Sequence, residues 1–228
     1  MTYLRGHWQL LALVALVFAL WSTPVMVPLK ILVVMLHELS HAIMALVTGG
    51  EIVSLSVNAN QGGEVWTRGG NRFLTLTAGY LGSLLIGLGL LIAALRTHLD
   101  RVLMAGFGIA LLVVTALYVR DLFAFGFGAG TGAIMLAVAR FGSIQVNDLI
   151  LRVIALTSIV YVPYDIFSDT IARSALRSDA RMLAEEFGGA TMMWGGLWLV
   201  ISLWVIWVAV RRGLGADSNI HFGSGDTH

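Results

Sequence analysis

The sequence predicts an all-α polytopic membrane protein, six or seven transmembrane helices with a short β-hairpin after the second. Three observations predict it. The 228 residues are 58% hydrophobic and only 12% charged, against about 25% charged residues in soluble domains. Apolar runs recur at about 20 residues, the length that crosses the hydrocarbon core of a bilayer. One stretch between glycine pairs breaks the pattern and reads as strand.

The first apolar run covers residues 8–21 and extends toward Val27. It is expected as a retained helix, because no small-residue cleavage site follows it. Ser22-Thr23-Pro24 and Pro28 separate it from the second run, residues 29–47. Proline suits the first turn of a helix and Gly49-Gly50 suits its end. Residues 51–72 then show partial alternation with β-branched side chains, Glu51 to Asn58 and Gly62 to Arg68, closed by Gly69-Gly70. That is the signature of a hairpin. Such backbone cannot face lipid with its polar groups unpaired, so it belongs at the interface or along a cavity.

A third span is expected over 73–95 and a fourth over 102–119. The glycines of the third let a neighbouring helix approach closely. The fifth segment, 123–139, is short and glycine-rich, a candidate re-entrant element. The sixth covers 149–162 and the last 192–210. Residues 1–212 are expected to form a single membrane-embedded domain, with 213–228 a polar, disordered tail. Lys and Arg divide evenly between the two sides if seven spans are counted, so the positive-inside rule does not orient the chain. If the fifth segment does not span, the balance puts the N-terminus inside. The cell membrane is the expected location.

The chain has no cysteine. This excludes disulfides, a thiolate metal site and a cysteine nucleophile. Net charge +1, with no basic cluster interleaved with aromatics, gives no reason to expect nucleic acid as a partner.

The chemistry concentrates in the second span, ILVVMLHELSHAIMALV, residues 31–47. His37 and His41 stand four apart and project from one face of a helix. Two such histidines can hold a zinc ion, and Glu38 between them can take a proton from water beside the metal. Ionisable groups at membrane depth are costly, which makes this cluster a functional site by default.

A catalytic zinc has three protein ligands and one open position. The third is expected from Tyr161-Val-Pro-Tyr-Asp165-Ile-Phe-Ser-Asp169-Thr-Ile-Ala-Arg173. Positions 165, 169, 173, 177, 181 and 185 read Asp, Asp, Arg, Arg, Arg, Glu, one polar stripe if the segment is a single helix. Asp165 is the first choice and Asp169 the second. Asp121 follows, then Glu51 and Glu64 of the hairpin. The same stripe also fits an interfacial amphipathic helix in which Asp169 pairs with Arg173.

At this point the chain resembles the site-2 protease family of intramembrane zinc metalloproteases, and most closely its small protease-like branch. The resembling residues are His37-Glu-Leu-Ser-His41 with Gly49-Gly50, Gly62-Gly63-Glu-Val-Trp-Thr-Arg-Gly-Gly70, Ala78-Gly-Tyr-Leu-Gly-Ser83, and Tyr164 to Arg173 with Ser178-Asp-Ala180. The resemblance implies Zn2+ held by the two histidines and a downstream aspartate, Glu38 as catalytic base, and cleavage of a membrane-embedded protein substrate. The better-studied members carry Asp-Gly on a later helix, where this chain has Asp165-Ile166. They carry Gly-Pro and a nearby Asn in the middle block, where it has Gly79-Tyr80. Ser83 stands near that polar position and is the candidate substrate-positioning residue.

The strand-like segment is further expected to pair with an unwound stretch of substrate by strand addition. Two other readings of the same residues stand beside the protease: a protease-like membrane scaffold without activity, and a membrane metal-binding or transport protein.

Overall fold

The computed structural model describes residues 2–173, 177–215 and 217–220. Helix α1 covers Thr2–Leu20, and a 3-10 turn, Pro24–Met26, leads into α2, Val27–Val47. The hairpin strands are β1, Glu51–Val57, and β2, Gly63–Arg68. Then come α3, Arg72–Arg96; α4, Asp100–Tyr118; α5, Leu122–Phe141; and α6, Ile144–Phe167. A π-helical turn, Ser168–Ala172, extends α6, before α7, Asp179–Phe187, and α8, Thr191–Gly213. Among the described residues, 6 helices are long and apolar enough to cross a membrane: α2 with its 3-10 turn, α3, α4, α5, α6 with its π turn, and α8. The protein is a multi-pass integral membrane protein. The apolar part of α1, Arg5–Leu20, falls short of that length.

The glycine-rich segment is a regular 20-residue helix, α5, and not a re-entrant element. Two of its glycines, Gly128 and Gly132, lie on the face packed on α4, while Gly126 and Gly130 face open space. A Cβ on Gly132 would stand 2.9 Å from the Gly108 carbonyl, and one on Gly108 equally close to the Gly132 carbonyl. Small residues here allow close backbone approach where lipid supplies no hydrophobic drive.

The expected single stripe from 165 to 185 is broken. Pro163 sits inside α6, the helix widens into the π turn, and a separate helix begins at Asp179. Proline removes a backbone donor, and π turns absorb the resulting offset. Asp169 and Arg173 do pair, at 2.6 Å. Ser178 caps α7 by accepting from Arg181 N, and the buried Ala180 and Leu183 dock it against Leu76, Tyr80 and Trp198.

The hairpin is antiparallel, with a bulge between Ile52 and Ser54. At its tip Asn58 Oδ1 accepts from the N–H groups of Asn60 and Gly62. Leu55 and Val57 are buried with Ile31, Val34 and Met35 of α2.

At the opposite end of the bundle, arginines tie helix ends together. Arg96 donates to the carbonyls of Arg212 and Gly213, and Arg101 to that of Gly142. The buried Arg152 makes two bonds to Asp148, 2.5 and 2.7 Å, and a third to the Ser218 carbonyl. In the tail, expected as disordered, the described residues 218–220 make hydrogen bonds to the start of α1. Ser218 N donates to the Gly6 carbonyl, its hydroxyl bonds His7 Nδ1, and Gln9 exchanges hydrogen bonds with Ile220. Residue 216 and residues 221–228 lie outside the described residues.

Arg152→Met should be strongly destabilising. It leaves the Asp148 carboxylate buried without its cation, which costs about 3–5 kcal/mol. Thermal unfolding in detergent checks this, and an unchanged midpoint would show that the pair holds nothing.

Candidate metal centre

Helix α2 carries the histidines because its packing is rigid there. Ala42 and Ala45 are fully buried, Ser40 Oγ donates to the Leu36 carbonyl, and Ser40 lies against Gly82 of α3. His37 Nε2 and His41 Nε2 stand 3.0 Å apart. Asp179 Oδ2 lies 2.9 Å from the first and 3.1 Å from the second. These are the only three such side chains, among the described residues, whose ligand atoms cluster this closely.

The tautomer of His41 follows from its other nitrogen. Nδ1 lies 2.6 Å from the Thr75 carbonyl oxygen, which can only accept, so Nδ1 carries a proton, and the ring turns Nε2 to the cluster, where it is a ligand in the neutral imidazole. Ligating histidines are commonly oriented by such a bond. Gly79 makes the space: a Cβ there would overlap Nε2 of both histidines. The Tyr80 ring meets His37 edge-on at 4.6 Å, and its hydroxyl donates to Asp169 at 3.0 Å.

Asp179 lies outside the spans and is buried. Burial works to raise the pKa of its carboxyl. The positive charge of His41 and the hydrogen bonds with both histidines outweigh this and hold it well below the usual carboxylate range.

Glu38 is buried beside the pair, on the wall of a cavity of about 1090 Å3. The cavity runs between the hairpin, the end of α6 and the start of α7, and residues 62–67 line one side. Two imidazole nitrogens and one carboxylate oxygen, converging on one point with a glycine wall behind, fit a three-ligand zinc site.

The carboxylate that stands at the histidine pair is Asp179, while the expectation was Asp165 or Asp169. Both of those line the same cavity but stand outside the donor cluster, and Asp169 is engaged by Tyr80 and Arg173. Asp121 caps α5, accepting from Ala124 N at 2.8 Å and from Ser56 Oγ at 2.6 Å. Slight burial pushes its carboxyl up, but these two hydrogen bonds bring it below its ordinary value. Glu51 pairs with Arg68 at 3.1 Å, away from the histidines, and Glu64 lines the cavity. Ser83 is fully buried and does not line the cavity. Its hydroxyl donates to the Gly79 carbonyl at 2.9 Å, and its carbonyl accepts from Ser158. Its place is the contact between α3 and α6.

A signal for Asp179 is present in the sequence. Ser178 followed by Asp-Ala-Arg-Met-Leu-Ala-Glu-Glu has the form of a capped amphipathic helix start, which places Asp179 in a first turn.

A family model described as Peptidase M50B-like matches residues 10–209. Neither a curated protein nor a solved structure matches the chain.

Proposed function

The chain belongs to the M50B-like peptidases, within the site-2 protease family of intramembrane metalloproteases, and from that premise we propose that it is a zinc endopeptidase acting on membrane-embedded substrates. One observation carries the reading. Three ligand atoms from His37, His41 and Asp179 converge within 3.1 Å beside a buried glutamate, on a cavity wall.

Zinc bound there supplies a Lewis acid that makes water nucleophilic at neutral pH and polarises a carbonyl. Glu38 accepts the proton of the attacking water on its carboxylate and returns it to the leaving amine. Thr75, through its backbone carbonyl, keeps the His41 ring from turning. The polar cavity admits water to an otherwise apolar surround. A substrate helix must unwind first, because its carbonyls are bonded within the helix. Strand β2 pairs with β1 on one side only, and its other edge offers backbone groups to an extended substrate.

Elemental analysis and cleavage of a panel of single-span fluorogenic peptides test this. Wild type and Glu38→Gln should both carry about one zinc per chain, the number a single three-ligand site holds. Cleavage by Glu38→Gln should fall about 10²–10⁴-fold. Equal cleavage by the variant would remove Glu38 from its role. Failure of the wild type to take up zinc would leave the inactive scaffold.

A further inference from the structure

The hairpin touches the proposed base directly. Gly63, the first residue of β2, lies on Glu38. A Cβ on Gly63 would stand 2.7 Å from Glu38 Oε1, 2.8 Å from Glu38 Cγ and 2.7 Å from Val34 Cγ1. Only a residue without a side chain allows the strand so close. In the ladder Gly63 faces Val57, and Ser56 faces Glu64. Ser56 is the point where the hairpin is tied to the bundle, through its hydroxyl bond to Asp121 at 2.6 Å. Asp121 is itself immobilised as the cap of α5. Leu55 and Val57, on either side of Ser56, are each 1% exposed. A continuous chain of contacts thus runs from α5 through Asp121, Ser56, Val57 and Gly63 to the Glu38 carboxylate.

We infer that the hairpin seats the general base: Gly63 is a positioning residue for Glu38, and the Ser56–Asp121 hydrogen bond holds the strand that carries it. This rests on Glu38 acting as the base in the proposed reaction. A glutamate beside a large polar cavity has several staggered rotamers to choose from. A carboxylate displaced by about 1 Å loses on the order of 10²-fold in rate. The Gly63 backbone removes the rotamers that point back across the strand. The contact is also specific in what it would move. The three atoms nearest to a Cβ at Gly63 are all side-chain atoms, Oε1 and Cγ of Glu38 and one methyl of Val34. A substitution therefore presses first on the Glu38 side chain.

The test is Gly63→Ala in the full-length, zinc-loaded protein. Peptide cleavage should show kcat lowered roughly 10- to 100-fold, with KM and zinc content unchanged. Ser56→Ala should fall between wild type and Gly63→Ala, and Ser56→Thr, which keeps the hydroxyl, should restore the rate. A second readout does not depend on turnover: labelling of Glu38 by a water-soluble carbodiimide, quantified in its peptide by mass spectrometry, should become several-fold faster in Gly63→Ala. Wild-type kcat with unchanged labelling would overturn the inference. So would loss of zinc, or a lowered unfolding temperature with Glu38 labelled as in wild type, since either assigns Gly63 to metal binding or to stability. If the wild type cleaves nothing, the proposed function falls, and the labelling arm still decides whether the hairpin seats Glu38.

Discussion

Asp179→Ala is expected to lose both metal and cleavage, while Asp165→Ala keeps its metal. Asp179 Oδ2 stands 2.9 and 3.1 Å from the two imidazole nitrogens, and no other carboxylate among the described residues joins that cluster. Its own element tolerates the change. Asp179 is the first residue of α7, whose attachment rests on Ala180, Leu183 and the Arg72–Glu186 pair. The protein should therefore remain folded with a two-ligand site. Disturbing the partner of a metal ligand typically lowers affinity about 10–100-fold, and removing a ligand itself should exceed that. Elemental analysis after exhaustive dialysis, with cleavage measured on the same samples, checks it. Metal kept by Asp179→Ala and lost by Asp165→Ala would return the third ligand to α6.

Gly79→Ala should be as severe by a different route. The added carbon would overlap both Nε2 atoms, and neither ring can give way freely. His41 is pinned to the Thr75 carbonyl, and α2 is pressed on α3 where Ser40 meets Gly82. Either the rings turn off the metal or the helices separate. Overpacking of this kind costs about 1–3 kcal/mol, so a lowered unfolding temperature should accompany loss of zinc. Gly89→Ala on the same helix is the control, since nothing lies within 4 Å of a Cβ there. It should keep metal and stability. Equal zinc in the two variants would show that Gly79 does not shape the site.

Local information explains which parts of this site were legible. His37, Glu38 and His41 share one helix turn, so their spacing alone puts them together. The spans and hairpin were legible because apolar length and strand alternation are also local. The third donor is different: it lies 142 residues from His37. Reading 165 to 185 as one helix kept the even spacing of its charged residues and hid the break. A π turn after Pro163, then a fresh Ser178 cap, set Asp179, which is no member of that stripe, against the histidines. The pull of Asp165 was not empty, since polarity at that depth does mark the cavity wall. Asp121 stands apart from the cluster, its two oxygens used by a helix cap and a hydroxyl. Nothing local distinguishes the tail residues that bind α1 from a free polar tail, because their partners are at the other end of the chain.

The separation between the histidines and Asp179 also bears on how the protein is made. The histidines enter the bilayer with one of the earliest helices, and Asp179 is synthesised only after α6 has been completed. A nascent chain thus holds two donors and an undirected glutamate through most of its insertion. The full cluster exists only once α7 has docked on α3 and α8. Donor placement thus ties the three-atom cluster to completed assembly: a chain that stalls before that docking has the two histidines without Asp179.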